Sequence, residues 1–74
     1  MDYDLNVRFI YHKPFGSQPA RYEEIRARAL DFADYLIKHC PDSREFSLAL
    51  TKLEETVFWA NAAIARNEEN PNKE

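Results

Sequence analysis

The run from Pro41 to Asn67, PDSREFSLALTKLEETVFWANAAIARN, constrains this chain more than any other stretch. Phe46, Leu50, Leu53, Val57, Ala60 and Ile64 recur at alternating steps of four and three, the spacing of one continuous apolar helix face. No glycine or proline interrupts the run until Pro71. The spacing predicts one long helix over residues 42–67. Asp42 as N-cap with Glu45 three residues on makes a capping box, and Pro41 with Phe46 suits a hydrophobic staple.

The second half of this helix is apolar nearly all the way round. In Val57–Ala65, the residues Phe58, Trp59, Ala62 and Ala65 lie off the main stripe. A surface helix carries one apolar stripe, and a helix apolar on all sides is buried on more than one. A chain of 74 residues has little else to cover them with, so partner subunits are expected. Small chains commonly need disulfides, metal or oligomerisation to be stable. Cys40 is the single cysteine, which excludes a disulfide within the subunit and suits a reducing, intracellular compartment. Two widely spaced histidines and one cysteine make no zinc pattern, so neither a metal nor a cofactor is expected. Oligomerisation remains.

Before the long helix the chain has two parts. Residues 1–16 form an N-terminal segment in which residues 5–10 suit either a short extended stretch or one turn of helix. Pro14 makes a bend of Tyr11-His12-Lys13-Pro14, and Gly16-Ser17 break the chain. A first long helix is expected over residues 18–40. Ser17 is its N-cap, Pro19 sits in its first turn, and Tyr22, Ile25, Ala29, Phe32, Ala33, Leu36 and Cys40 are its inner face. Pro41 stops it, and the short linker folds the two helices into an antiparallel hairpin. Residues 68–74 read as a polar, frayed tail. The fold class is therefore all-α: a helical hairpin with a short N-terminal segment, one small domain over 1–74, assembling into a compact homo-oligomer.

The chemistry is that of binding. The net charge is −3, against the basic face of a DNA or RNA binder, and Lys52 amid acidic neighbours makes no recognition helix for a transcription regulator. The N-terminus is acidic and no apolar run approaches 18 residues, so neither a signal peptide nor a membrane span is read. His12 in a bend, His39 at a helix end and Cys40 on an inner face assemble no nucleophile, and neighbours Glu54 and Glu55 point apart on their helix. Arg21, Arg26 and Arg28 project from the first long helix, after Arg8 and Lys13. Arg26 stands four residues from Tyr22, and a ring beside a guanidinium suits a base and its phosphate. From spacing alone, ion pairs with Glu23, Glu24 and Asp31 on a wet surface are the favoured reading of the same arginines.

The order Tyr11-His12-x-Pro14, Gln18, Tyr22-x-x-Ile25-Arg26, Pro41-Asp42-Ser43-Arg44-Glu45, Leu48–Glu55 (LALTKLEE), Trp59-Ala60-Asn61-Ala62 and Ile64-Ala65-Arg66-Asn67 resembles the small phage anti-CBASS sponge proteins of the second type. The resemblance runs from about Tyr11 to Asn67. It implies a non-enzymatic protein in the cytoplasm of the infected bacterial host, active in immune evasion. Such proteins form compact hexamers that hold cyclic dinucleotides such as 3′,3′-cGAMP between subunits without cleaving them, and bind cyclic trinucleotides in separate pockets. The family's dinucleotide-pocket tyrosine carries over to Tyr11, beside His12, and its basic residue to Arg26 or Arg28. Arg66 is the candidate for a cyclic trinucleotide. Lys13 stands where a proline is common, near the pocket, and Phe58 where a methionine is common. A rival reading is a helical adaptor that docks a partner protein through Val57–Ala65 and binds no nucleotide.

Overall fold

The computed structural model describes residues 3–71; Met1 and Asp2 of the expected N-terminal segment and Asn72 to Glu74 of the expected tail lie outside them. Three helices follow one another: α1 (Leu5–Phe9), α2 (Gln18–His39) and α3 (Arg44–Asn67). No strand occurs among the described residues. The ambiguous N-terminal stretch thus resolves as one helical turn. Asp4 takes left-handed backbone angles (φ 54°, ψ 46°), and its carbonyl accepts from the backbone N–H groups of Val7 and Arg8. A short polar side chain tolerates that conformation better than most.

Helix α2 starts where Ser17 precedes Pro19, as expected, but the Ser17 hydroxyl makes no cap. It accepts from Arg21 Nε instead, at 3.0 Å. The cap of α3 is also displaced by one residue. Ser43, not Asp42, is the N-cap: its extended backbone lets Oγ accept from the Phe46 N–H at 3.1 Å, while the hydroxyl donates to the Pro41 carbonyl at 3.1 Å. That shift removes the capping box, because Phe46 now stands three residues after the cap. Glu45 still lies in the first turn, where a carboxylate meets the positive end of the helix.

Helices α2 and α3 pack antiparallel along each other, and α1 makes few contacts with either. The α3 stripe from Phe46 to Ile64 is half-buried throughout, facing half-buried Tyr22, Ile25, Ala29, Ala33, Leu36 and Cys40 of α2. Phe32 departs from the expected inner face: it is 51% exposed and lies by Tyr35, ring centroids 6.4 Å apart.

The result is a single layer of helices. Principal extents are 50 × 33 × 13 Å and the radius of gyration is 15.9 Å, against about 11 Å for a compact chain of this length. No apolar side chain among the described residues is fully buried; Phe58 (60%) and Trp59 (66%) stand in the open. The surface is 6442 Å², where a folded monomer of 8.7 kDa exposes about 4,700 Å². A hairpin has one inner seam and no third element to close over it.

Candidate functional site

One cleft of about 450 Å³ gathers residues from all three parts of the chain. Arg8, Ile10, Tyr11 and His12 come from α1 and the bend after it, Tyr22 and Arg26 from α2, and Asn61, Ala62, Ala65 and Arg66 from α3. The spacings explain the convergence. Residues four apart stack on one face of a helix, which aligns Tyr22 with Arg26 and Ala62 with Arg66. Ala62 and Ala65 matter for their small size: between larger neighbours they leave room that a leucine would fill.

The bend is held by His12. Its Nε2–H donates to the Val7 carbonyl at 2.7 Å, securing the end of α1 and leaving Nδ1 as the ring's other polar atom. Tyr11, next to it, is 80% exposed, open to solvent and to any neighbouring molecule.

The electrostatics are local. Three guanidinium groups line the cleft and no carboxylate does. Arg8 is engaged with the Tyr3 carbonyl at 3.4 Å and lies 5.5 Å from the centre of the Phe9 ring. Arg26 and Arg66 have no hydrogen-bond or ion-pair partner among the described residues. A chain of net charge −3 thus presents one concave, acid-free cluster of positive charge. A hollow of about 610 Å³, which Arg26 also borders, is larger but carries Glu23 and Glu54 beside Leu30 and Phe58, a poorer setting for an anion.

Of the residues read from the sequence, Tyr11, His12, Arg26 and Arg66 meet at the cleft, and Arg28 does not. Arg28 is bound to Glu24 one turn earlier, at 2.9 Å, on the solvent side of α2. Lys13 is exposed and outside the lining. The wet-surface alternative therefore holds for Arg28, and not for Arg26. Arg66 also borders a second hollow, with Glu55, Phe58 and Trp59, on the other side of α3.

Sequence reading passed over two features. Asn61 reaches the cleft, and its Oδ1 is enclosed with no hydrogen-bond partner; an isolated amide inside the apolar Val57–Ala65 run was the signal. The other is a clamp at the foot of the hairpin. Glu68 meets the Arg21 guanidinium through both oxygens, at 2.6 and 2.7 Å, and accepts from Gln18 Nε2 at 3.0 Å. The hydrogen bond from Arg21, then that from Gln18, holds the Glu68 carboxyl down at about 2 from its ordinary 4.5, and the bond to Glu68 raises Arg21. By its polar sequence, residue 68 is expected to begin a frayed tail. It is instead tied to α2, because the antiparallel return of α3 delivers its end to the first turn of α2.

Among the described residues no group of acidic, histidine and cysteine side chains is placed to hold a metal, and no helix is long and apolar enough to cross a membrane. His39 is engaged in a tilted contact with Tyr35, ring centroids 4.2 Å apart.

No curated protein and no solved structure matches the chain significantly. A family match does exist, described as Acb2/Tad1, hairpin domain, and it covers residues 1–65. It spans the N-terminal turn, all of α2 and α3 up to the last cleft alanine. On that coverage the chain belongs to the Acb2/Tad1 hairpin-domain family, the anti-CBASS sponge proteins.

Proposed function

We propose that this protein binds cyclic dinucleotides of the 3′,3′-cGAMP type at the Tyr11–Arg26 cleft and sequesters them without cleavage, depriving a CBASS effector of its activator. One observation carries the reading: an open, acid-free cleft in which an exposed tyrosine ring stands beside two guanidinium groups without partners. A cyclic dinucleotide has two flat bases and two anionic phosphates. Stacking on an aromatic ring contributes about 1–3 kcal/mol per base, and a charged hydrogen bond about 1.5–3 kcal/mol. Arg26 serves the phosphate, Tyr11 the base, and His12 fixes the bend that presents Tyr11. Arg66, facing two hollows, is the residue for a cyclic trinucleotide. In this reading the ligand is held and not turned over: the cleft's histidine, His12, is committed through Nε2 to the Val7 carbonyl and serves the fold of the bend.

Assembly belongs to the same reading. The surface in excess of a compact monomer is about 1,700 Å², close to two standard patches of about 800 Å² each. That is what a subunit with two neighbours buries, and a hexamer supplies them. A second subunit then closes the open face of Tyr11 and offers an equivalent half-site to a ligand with two-fold symmetry. The setting is a phage protein in the cytoplasm of its bacterial host.

Calorimetric and thermal-shift titration with cyclic GMP–AMP tests this. Ligand at 100 times its dissociation constant stabilises the protein by about 2.7 kcal/mol. After heat denaturation the nucleotide is recovered intact and still activates its effector. Accumulation of linear product in proportion to protein overturns sequestration, and no thermal shift favours a protein-docking adaptor.

A further inference from the structure

We infer that Gln18 and Glu68 are positioning residues for the cleft: they fix the segment from Ile10 to Ser17, and with it Tyr11 and His12, against the end of α3. The inference rests on the sponge reading for its functional consequence, but its structural claim stands apart from any ligand.

Gln18 is 2% exposed, the one fully buried side chain among the described residues. A polar side chain in that place, in a protein without a buried apolar core, calls for a reason, because a buried amide is costly unless its hydrogen bonds are made. Both ends of this amide are used. Oε1 accepts from the Phe15 backbone N–H at 3.1 Å, and Nε2 donates to Glu68 Oε1 at 3.0 Å. The orientation is unambiguous, since a backbone N–H only donates and a carboxylate only accepts. The Gln18 N–H in turn donates to the Phe15 carbonyl at 3.0 Å, so residues 15 and 18 are locked from both sides.

Glu68 anchors the other end. Its two bonds from Arg21 and one from Gln18 leave it little freedom, and Arg21 Nε also holds the Ser17 hydroxyl. A continuous chain of hydrogen bonds therefore runs from the end of α3, through Gln18, to the backbone four residues after Tyr11. Helix α1 contributes little to that placement, since it makes few contacts with the hairpin. Gly16 completes the turn at φ +57°, with open space around it. The bend is thus pinned to the hairpin at Phe15 by the clamp, while His12, next to Tyr11, ties the bend to α1 through the Val7 carbonyl. Glu68 falls beyond residues 1–65, the span of the family match.

Amide hydrogen exchange on the full chain, with titration of cyclic GMP–AMP alongside, decides the matter for Gln18→Glu, Glu68→Ala and the conservative Glu68→Gln. Gln18→Glu keeps the volume but turns an acceptor toward the Glu68 carboxylate. Glu68→Gln keeps an acceptor for Gln18 Nε2. The expected result is faster exchange at Phe15, by about tenfold or more, in Gln18→Glu and Glu68→Ala, with amides at mid-hairpin unchanged and protection largely kept in Glu68→Gln. Affinity falls at least about threefold in the first two and much less in the third. Unchanged Phe15 exchange in both Gln18→Glu and Glu68→Ala overturns the inference, as does faster exchange with unaltered affinity in a parent that binds. A parent that binds no cyclic nucleotide refutes the sponge reading alone; the exchange result then still decides whether the clamp holds the segment.

Discussion

Arg26 and Arg28 are two residues apart, of one chemical type, and the family resemblance does not rank them. Their surroundings do. Arg28 is paired with Glu24 and points to solvent, whereas Arg26 faces the cleft without a partner among the described residues. Arg26→Ala is expected to weaken cyclic dinucleotide binding by at least about tenfold, from the loss of a charged hydrogen bond; Arg28→Ala stays within about twofold. Tyr11→Ala, at an exposed position, loses at least about tenfold in affinity and keeps the helical content of the parent. Calorimetry of the three variants checks all of this, and an Arg28→Ala defect equal to that of Arg26→Ala contradicts the assignment. Glu68 gives a prediction in pH. Its folded value is depressed to about 2, from the ordinary 4.5. Stability from a depressed carboxylate is fully present above the unfolded value and lost as pH falls through the folded one. The charged pair therefore holds above about pH 4.5 and is lost progressively toward pH 2. What protonation removes is the charged Arg21–Glu68 pair, so stability falls in that window in the parent and not in Glu68→Ala, while the Phe15 amide largely keeps its protection, as in Glu68→Gln.

The hairpin elements are set by short-range rules with one-residue consequences. Ser43 caps α3 through its hydroxyl, so Ser43→Ala is expected to cost about 1 kcal/mol in a chemical or thermal melt. Asp42→Ala has a much smaller effect, reversing the order that the sequence suggests. The two helices and their inner faces were legible because a period of 3.6 is imposed by the backbone itself, and burial follows it. Which of two adjacent capping residues is used was not legible. It depends on the exact path of the Cys40–Ser43 turn, where the Ser43 hydroxyl also finds the Pro41 carbonyl. Phe32 shows the same limit: its spacing suits the seam, but the seam of a two-helix layer is narrow, and a large ring at its margin stays outside.

For the molecule as a whole, the absence of a buried apolar core among the described residues is the dominant fact. Phe58, Trp59 and the neighbouring alanines cannot be covered by a single layer 13 Å thick. Light scattering at micromolar concentration is expected to give several times the 8.7 kDa chain mass, six copies in the proposed assembly. Trp59→Asp or Ala62→Glu places a charge in the surface proposed to be buried there, and is expected to shift the particle toward smaller species. A monomer that is stable at that concentration contradicts the assembly. Binding is expected to weaken with it, since Tyr11 then loses the neighbour proposed to cover its open face.

The sequence by itself determined the helical class, the hairpin, the facing stripes and the surplus of apolar surface, because each follows from periodicity, from turn chemistry or from the ratio of surface to volume. The motif residues it singled out, Tyr11, His12, Arg26 and Arg66, do meet at one cleft. Tertiary structure alone decided that Arg28 stands apart, that Asn61 enters the cleft, and that Gln18 and Glu68, 50 residues apart, join in a clamp. The reason is physical. A helix period reports which residues share a face, but the pairing of one helix end with another depends on the length of the connecting turn and the register in which two stripes pack. A change of one residue in that register carries every long-range hydrogen bond to a different partner.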